Sequence, residues 1–305
     1  MDRLTSPSEL EAFRKEVRSR STPTTPCIAV CVGTGCVACG AREVVAAFET
    51  TLAEQGVLAE VRIRGTGCPG FCERGTVVVI YPEEICYLEV TPKDVPEIVA
   101  TTIKDKKIVE RLVYADPTTG ELAIREADIP FYKHQERLLL SSNTRIDSRS
   151  IADYVAIGGY QALAKALFQM SAEEVLGEVT RSNLRGRGGA GFPTGKKWQG
   201  SRDAPGEVRY VIVNADEGDP GAFMDRALLE GNPHSILEGL IIGAYAVGAH
   251  EGYVYVRQEY PLAVENLAHA IAQAEEYGFI GTNILGSGFD FVVKVHKGAG
   301  AFVCG

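Results

Sequence analysis

The amino-acid sequence predicts an α/β protein with two folded domains joined by a connector. Short apolar strands alternate with amphipathic helices in residues 25–108 and again in residues 151–305. Between these two regions, residues 109–150 lose the periodicity and carry a turn signal at 116–120. A charged, helical segment, residues 1–24, precedes the first domain.

The first domain, residues 25–108, has the predicted order β-α-β-β-β-α. The predicted strands are 27–31 (CIAVC), 60–64 (EVRIR), 76–81 (TVVVIY) and 85–90 (ICYLEV). Residues 42–56 place their apolar side chains on one helical face and end at a glycine. A second helix is expected after Thr91-Pro92, with Thr91 as its N-cap. This order predicts one mixed sheet.

In the second domain, helical periodicity from Ile151 precedes a glycine-rich loop and three strand–helix alternations. The predicted strands are 209–213, 252–257 and 290–296, and the predicted helices are 235–249 and 261–277. Such alternation indicates a parallel sheet covered by helices on both faces. The sequence stops in a glycine run directly after a strand, so we expect it to be part of a longer polypeptide, truncated within this domain.

Charge and hydropathy exclude several classes of partner. A formal net charge of −9 argues against a nucleic-acid or anionic-membrane surface, because both need clustered Lys and Arg. No window approaches the ~18 apolar residues of a membrane span, and the N-terminus lacks a signal-peptide core. We therefore expect a cytoplasmic protein with no direct membrane insertion. Because the cytosol keeps thiols reduced, its eight cysteines are better candidates for metal or redox ligands than for disulfides.

Five cysteines crowd into glycine-rich loops: Cys31, Cys36, Cys39, Cys68 and Cys72. Two iron–sulfur ligand sets compete. The spacing Cys31-x4-Cys36-x2-Cys39 followed by Cys68 matches plant-type ferredoxins, whereas Cys31/Cys36 and Cys68/Cys72 form two pairs. Each pair lies in a loop directly after a predicted strand, as expected of two loops that converge at one edge of a sheet. We favour the two pairs as ligands and expect Cys39 to be a nearby non-ligand.

Two other interpretations of these cysteines stay open. Cys36 and Cys39 have the spacing of a thioredoxin-like dithiol, and four cysteines can hold zinc. Zinc ligands are usually spaced more tightly, and the neighbouring glycines leave backbone N–H groups to approach sulfur, so an iron–sulfur cluster is favoured. Cys27, Cys86 and Cys304 lie in or beside predicted strands and are expected to act as small hydrophobic residues.

The stretch from Asn183 to Trp198, NLRGRGGAGFPTGKKW, combines bare backbone with positive charge in an acidic chain. Its glycines let a ligand approach the main chain, and consecutive N–H groups with nearby arginines and lysines can bind an anion. The G-x-G-x-x-G match within it follows a predicted helix instead of a strand, so the context is wrong for a dinucleotide fingerprint. A mobile surface loop is the alternative. Phe192-Pro193 and Trp198 favour a stiffened loop that binds phosphate.

A second motif, VNADEGDPGAFMD, follows the predicted strand 209–213. Its polar residues lie where open α/β sheets bind ligands, at the carboxyl end of a strand: Asn214, Asp216, Glu217 and Asp219. Carboxylates repel phosphate but accept hydrogen bonds from ribose or ribityl hydroxyls and ring N–H groups. Together with the glycine loop, this cluster predicts a phosphorylated, polyhydroxylated cofactor. The glycine run 298–305 follows another strand and is expected to complete the crevice.

These motifs make residues 128–305 resemble the NADH-binding, FMN-containing flavoprotein subunit of NADH dehydrogenases. That family includes the 51 kDa-type subunit of complex I and relatives in hydrogenases, formate dehydrogenases and electron-bifurcating enzymes. The resemblance is carried by NLRGRGGAGFPTGKKW, NADEGDPGAF, DRALLEGNPHSILEG, GYVYVR and HKGAGAFVCG. Residues 25–108 are similar to the thioredoxin-like 2Fe-2S domain of the 24 kDa-type subunit. The implied fold is an N-terminal thioredoxin-like ferredoxin domain followed by a Rossmann-like α/β flavin domain.

The resemblance implies residues for each cofactor. The FMN contacts would be Gly186, Arg187, Gly188, Gly189, Lys197, Asn214, Asp216, Glu217 and Gly305. The NAD(H) contacts would be Phe192 and Asp219, with Phe302 close by, and the 2Fe-2S ligands would be Cys31, Cys36, Cys68 and Cys72. The family often has Glu where Asp219 stands, Tyr where Phe302 stands and an aromatic residue where Gly200 stands. A 4Fe-4S cluster is expected only in a later part of the polypeptide, beyond these residues.

The implied function is that of a subunit through which electrons enter a redox complex. Hydride would pass between NAD(P)H and FMN, and single electrons would pass to iron–sulfur clusters of this chain and of partner subunits, which could place it peripherally at a membrane. No side chain would act as a nucleophile or an acid. One alternative is a non-catalytic iron–sulfur relay or scaffold without flavin. Another is a zinc-binding interaction protein without either redox centre.

Overall fold

A computed structural model describes residues 3–20 and 25–301 of the chain. These residues form two compact units. The cysteine unit comprises the described residues of 18–150 together with 230–232. The parallel-sheet unit comprises the described residues of 1–17, 151–229 and 233–305. The segment boundaries expected after residues 24, 108 and 150 stay predictions. In the described part of the chain, no helix has the length and hydropathy needed to cross a membrane.

The cysteine unit contains a sheet and short helices. Its strands are β1 Cys27–Cys31, β2 Arg62–Thr66, β3 Val78–Tyr81, β4 Ile85–Tyr87, β5 Tyr114–Ala115 and β6 Leu122–Ala123. The N-terminal helix α1 Pro7–Arg20 ends in this unit. The other helices are α2 Thr34–Ala38, α3 Ala41–Glu54, α4 Val95–Ile98 and α5 Pro130–Lys133, with a π-helical segment Val99–Lys104 after α4. Single 3-10 turns cover Leu58–Glu60, Cys72–Arg74, Glu110–Leu112 and Glu126–Asp128.

The main sheet of this unit has the strand order β2-β1-β3-β4. β1 pairs with β2 in parallel, β3 runs antiparallel to β1, and β4 runs antiparallel to β3. The prediction of one mixed sheet is confirmed. All five residues of β1 are buried, and Phe48 and Leu52 of α3 pack in the same core. The helix thus covers the sheet through the apolar face that its sequence predicts.

The helix expected after Thr91-Pro92 starts later than the sequence suggested. Its N-cap is Asp94, so the assignment of Thr91 as N-cap is wrong. The carboxylate of Asp94 accepts hydrogen bonds from the backbone N–H of Thr91 at 2.8 Å and from its hydroxyl at 2.7 Å. Thr91 therefore forms the turn before the helix, and Arg111 holds the same carboxylate at 2.7 Å. Burial acts to raise the pKa of Asp94, but the hydrogen bonds from Thr91 and Arg111 together outweigh it, so the pKa is lowered.

The parallel-sheet unit is built from three strands and a larger set of helices. The strands are β7 Tyr210–Ala215, β8 Glu251–Val256 and β9 Val292–Lys297. The helices are α6 Ile151–Ala156, α7 Gln161–Gln169, α8 Ala172–Arg181, α9 Thr194–Asp203, α10 Met224–Gly231, α11 Pro233–Val247 and α12 Pro261–Tyr277, and Ile284–Gly286 forms a 3-10 turn. Helix α1 also contributes Leu10 and Phe13 to the core of this unit.

The three strands pair in the order β7-β8-β9, and both pairs are parallel, as predicted. The prediction of helices on both faces is wrong for the described residues. α11 contacts β7 and β8, and α12 contacts β9, whereas Tyr210 and Ile212 are 51% and 67% exposed. The reason is topological. Successive right-handed crossovers that advance in one direction across a sheet place their helices on the same face.

A buried polar network joins the helices of this unit. The carboxylate of Glu238 accepts hydrogen bonds from the hydroxyl of Tyr154 at 2.5 Å and from the backbone N–H groups of Tyr160 at 2.9 Å and Leu163 at 3.0 Å. The hydroxyl of Tyr160 lies 2.8 Å from Nδ1 of His234. Glu238 thereby supplies an acceptor to the N-terminal turn of α7, whose first N–H groups have no partner within the helix.

The burial of His234 predicts that the free energy of unfolding depends on pH. Burial lowers the pKa of His234 to about 4, and a histidine in the unfolded chain titrates near ~6.5. Between these values the unfolded chain binds a proton that the folded chain does not, so the free energy of unfolding decreases as the pH falls. We expect a loss of roughly 3 kcal/mol across this window. Urea unfolding at pH 7 and pH 4.5 measures it.

The His234→Gln variant should lose much of this pH dependence, because glutamine does not titrate. The matched control is His134→Gln, which replaces an exposed histidine and should keep the parental dependence. A parental pH dependence in His234→Gln would contradict the assignment.

Candidate functional site

Two loops that carry cysteines leave the same edge of the mixed sheet. In the parallel pair of β1 and β2, Cys31 lies opposite Thr66, so both strands end at the same level. The first loop leads from Cys31 into α2, which carries Cys36. The second loop leads from Thr66 through Cys68 to the 3-10 turn that begins at Cys72. The convergence expected from the sequence is therefore observed.

The four thiols of these loops are close together. Cys31 is within hydrogen-bonding distance of both Cys36 and Cys68, which links the two loops. The sulfurs of Cys68 and Cys72 are 3.3 Å apart. Cys31 and Cys36 are buried, Cys68 and Cys72 are half-buried, and Cys39 is exposed at the C-terminal end of α2. The two pairs thus form one group, which Cys39 does not join in the described contacts.

Glycines allow this close approach of the loops. A Cβ atom added at Gly35 would lie 3.1 Å from the sulfur of Cys72, and one added at Gly75 would lie 2.9 Å from the sulfur of Cys36. The backbone N–H of Gly70 donates to the sulfur of Cys68 at 3.2 Å. Such N–H groups stabilise negative charge on sulfur, which a metal-bound thiolate carries.

The pKa values of the two thiols of the first pair are shifted in opposite directions. Hydrogen bonds from the thiol of Cys31 and from the backbone of Val77 lower the pKa of Cys36. The pKa of Cys31 is raised by its hydrogen bonds with Cys36 and Cys68 and by its burial.

The donor set fits a binuclear iron–sulfur cluster. Such a cluster is held by four cysteine thiolates, two on each iron. Within residues 3–20 and 25–301, no group of three or more His, Cys, Asp or Glu side chains is arranged to hold a single metal ion. The two pairs of thiols, with neighbouring backbone N–H groups, can supply one pair to each iron of a 2Fe-2S cluster.

The glycine-rich loop of the parallel-sheet unit connects α8 to α9 and closes on itself like a hairpin. The backbone N–H of Gly186 donates to the carbonyl of Phe192 at 2.9 Å, and that of Thr194 donates to Leu184 at 2.9 Å. Between these bonds the chain turns through Gly189 and Gly191, whose φ angles of 99° and 58° favour glycine. The tip of the loop is exposed. Its backbone is therefore open to a ligand.

A cavity of about 470 Å³ lies beside this loop. Two of the residues predicted to bind FMN, Gly186 and Lys197, line it. Tyr210 to Val213 of the edge strand β7 form another wall, and α11 contributes Ser235 and Gly239. Its volume falls within the usual range for ligand sites, and its lining combines apolar walls with few polar groups. These features suit the flat, apolar ring system of a flavin with a phosphate at the glycine loop.

The acidic motif follows β7, where the sequence predicted it. Oδ1 of Asn214 accepts a hydrogen bond from the backbone N–H of Asp216 at 3.0 Å. The carboxylate of Glu217 accepts hydrogen bonds from the N–H groups of Asp225 and Arg226, at 3.1 and 3.2 Å. These two residues lie in the first turn of α10. Glu217 therefore anchors the start of that helix, a structural contact that its sequence position did not reveal.

Two residues that hold Glu217 were missed by the sequence analysis. The hydroxyl of Tyr260 donates a hydrogen bond to the carboxylate of Glu217 at 3.1 Å, and the guanidinium of Arg257 donates one to the backbone carbonyl of Glu217. Arg257 also lies 5.1 Å from the centre of the Tyr260 ring. The signal was available in GYVYVR, because Arg257 follows β8 directly and the carboxyl ends of parallel strands lie at one edge.

Two of the residues expected to contact the nucleotide, Phe192 and Asp219, are exposed. Phe192 is 55% exposed at the end of the glycine loop, and the side chain of Asp219 is exposed in the turn after β7. The backbone carbonyl of Asp219 accepts from the N–H of Ala222 at 3.1 Å. Phe302 and Gly305, like Cys304, lie outside the described residues.

Comparisons with known proteins agree with these motifs. Residues 179–305 match the family described as the Nuo51 FMN-binding domain. The chain is 55% identical over 173 residues to the NADP-reducing hydrogenase subunit HndC of Solidesulfovibrio fructosivorans, a stretch that covers 57% of this chain and 35% of that protein. It is 50% identical over 170 residues to the F 2 subunit of the NADH-quinone oxidoreductase of Rhizobium meliloti, which covers 56% of this chain and 40% of that protein. The chain thus matches well under half the length of these relatives.

A solved structure also resembles part of the chain. The thioredoxin-like [2Fe-2S] ferredoxin from Aquifex aeolicus is 35% identical, with a TM-score of 0.28, over 30% of this chain and 97% of that one. The flavoprotein resemblance rests on the family match and the curated relatives. Residues 179–305, which carry the glycine loop, the cavity and the acidic motif, are thus similar to the Nuo51 FMN-binding domain.

Proposed function

We propose that this chain is a cytoplasmic subunit through which electrons from NADH, or from NADPH, enter a larger redox complex. FMN would bind in the parallel-sheet unit and a 2Fe-2S cluster in the cysteine unit. The partners would be other iron–sulfur subunits. When bound, FMN supplies the exchange between two-electron hydride transfer and one-electron transfer, which no side chain provides.

The observation that carries this proposal is the position of the cavity. It lies within the residues that match the FMN-binding family, and Gly186 and Lys197 of the glycine loop line it. We infer that the loop backbone, with Arg187, Gly188 and Gly189, wraps the flavin phosphate. Lys197 would supply a positive charge from the first turn of α9, where the helix dipole also favours an anion.

The acidic motif would bind the remainder of the flavin. Asn214 lies near the end of the edge strand β7 and Asp216 directly follows the strand, and their oxygens can accept hydrogen bonds from ribityl hydroxyls and ring N–H groups. Glu217 would act at the same edge, held there by Tyr260 at 3.1 Å. Gly305 is proposed as a further contact. These residues position the ring, which decides whether a hydride donor can reach it.

The nucleotide would lie over the flavin between the glycine loop and the turn after β7. The exposed ring of Phe192 can stack on a base, and the exposed carboxylate of Asp219 can accept hydrogen bonds from ribose. Phe302 is proposed to lie close by. Asp219 is one methylene shorter than the glutamate usual in the family, so its carboxylate reaches less far.

The four converging thiols support the cluster assignment. Cys31, Cys36, Cys68 and Cys72 would be the ligands, two on each iron, and the N–H of Gly70 would stabilise the charge on Cys68. In the absorption spectrum of the purified chain we expect a flavin band at about 450 nm over broad iron–sulfur absorbance. Iron–sulfur absorbance alone would favour a relay without flavin. A colourless protein would contradict both.

The ligand assignment predicts different outcomes for two cysteines of the same unit. Cys72→Ser should abolish or strongly alter the EPR signal of the reduced cluster, because it removes one of four ligands. Cys39→Ser is the matched control and should leave the signal intact, since Cys39 is exposed and outside the thiol group. The opposite result would establish the plant-type ligand set in place of the two pairs.

The glycine loop predicts a steric effect on flavin binding. A Cβ atom added at Gly188 meets no atom of the chain within 4 Å, so Gly188→Val should fold normally yet occupy space next to the proposed phosphate. We expect the ratio of FMN to iron to fall at least about tenfold while the cluster stays bound. Gly177→Val in α8, where an added Cβ meets only the flexible end of Arg181, is the control. An unchanged ratio in Gly188→Val would mean that the loop binds something else.

Asp219 separates nucleotide binding from flavin binding. Asp219→Ala should retain FMN, because the turn depends on the backbone carbonyl of Asp219 and not on its carboxylate. Flavin reduction by NADH should weaken about tenfold in kcat/KM, the effect of one lost charged hydrogen bond. Glu207→Ala, which removes another exposed carboxylate of this unit, should have no effect. Flavin loss with normal kinetics per bound FMN would overturn this division of roles.

A further inference from the structure

A three-residue segment, Glu230-Gly231-Asn232, folds with the cysteine unit although it is far from that unit in sequence. The residues on both sides of it belong to the parallel-sheet unit. Helix α10 ends within the segment, at Gly231. The segment joins the cysteine unit through its contacts with the two loops that carry the cysteines.

Glu230 contacts the first cysteine loop. Its side chain is 3% exposed, and its carboxylate accepts a hydrogen bond from the backbone N–H of Thr34 at 2.9 Å and another from the hydroxyl of Thr34. Thr34 is the first residue of α2 and lies between Cys31 and Cys36. Both oxygens of a buried carboxylate are thus directed at the loop that carries one pair of thiols.

Gly231 contacts the second cysteine loop. A Cβ atom added at Gly67 would lie 2.4 Å from the Cα of Gly231, and one added at Gly231 would lie 2.6 Å from Nδ2 of Asn143. Asn143 is fully buried, and its Nδ2 donates to the carbonyl of Cys68 at 3.4 Å. The segment 230–232 is consequently packed against both loops, with Glu230 on one and Gly231 on the other.

We propose that Glu230 is a positioning residue for the 2Fe-2S cluster, because its carboxylate holds the Cys31–Cys36 loop in the cluster-binding conformation and places a fixed negative charge beside the cluster. The inference rests on the proposed function, since it assumes that the four thiols bind that cluster. The electrostatic consequence has a definite sign. Reduction adds one electron to the cluster, so a nearby negative charge disfavours the reduced form and lowers the midpoint potential.

Two variants of Glu230 separate the charge from the hydrogen bonds. Glu230→Gln keeps the shape and an acceptor for the N–H of Thr34 but removes the charge. We expect its cluster to titrate at a higher potential, with about a tenfold change in the oxidised-to-reduced ratio at a given potential, or ~59 mV for a one-electron couple. Glu230→Ala also removes the acceptors and should reduce the amount of cluster per chain. Glu49→Gln, an exposed glutamate on α3, is the matched control.

Thr34 supplies an independent test that leaves the charge in place. Thr34→Val removes the hydroxyl donor and should reduce cluster retention on heating without the upward shift of potential. Thr34→Ser keeps the donor and should behave like the parent. If Glu230→Gln fails to hold the cluster, the two Thr34 variants still test the positioning role. Equal cluster retention in Thr34→Val and Thr34→Ser would overturn that role.

The measurement is an EPR-monitored redox titration of the full 305-residue chain, with iron quantified per chain. Parental potentials and cluster contents in both Glu230 variants would overturn the inference. A parent chain that shows no 2Fe-2S signal would instead overturn the proposed function. The two failures are therefore distinguishable.

Discussion

In both units, parallel pairing of neighbouring strands determines where the loops with chemical groups leave the sheet. β1 and β2 pair with Cys31 opposite Thr66, so the loops that follow them start side by side. β7 and β8 pair with Ala215 opposite Val256, which brings the acidic motif and Arg257 to one edge. An antiparallel partner would send the second loop to the far end of the sheet. The thiol group and the acidic edge both depend on this pairing direction.

Half-buried or buried glutamates hold the starts of several helices. Glu217 accepts two N–H groups of α10, Glu230 accepts the N–H and hydroxyl of Thr34, and Glu238 accepts two N–H groups at the start of α7. A hydrogen bond to a carboxylate is stronger than one between neutral groups. These contacts stabilise helix starts, whose first N–H groups have no partner within the helix.

The two candidate sites differ in how much of their structure the chain supplies by itself. The sulfurs of Cys68 and Cys72 lie 3.3 Å apart, and Cys31 is within hydrogen-bonding distance of Cys36 and Cys68. A side chain at Gly35 or Gly75 would crowd these sulfurs. The glycine loop of the parallel-sheet unit is exposed at its tip, and a Cβ atom added at Gly188 meets nothing within 4 Å. A compact inorganic cluster needs ligands that are already close, whereas a large organic cofactor needs open backbone around a cavity.

The sequence by itself determined most of the local structure and the residue types of both sites. Helix α12 spans Pro261–Tyr277 as predicted, because proline begins it and apolar side chains recur at the helical period. Strand β1 also matches its prediction, because continuous apolar runs mark buried strands. Only the tertiary structure decided that, among the described residues, no helix covers one face of the parallel sheet. It also decided that Asp94 replaces Thr91 as N-cap, and that Glu230 contacts Thr34 across 196 residues. Local patterns encode the period of each element, but a contact between distant segments depends on how the strands order and pair, which no local pattern contains.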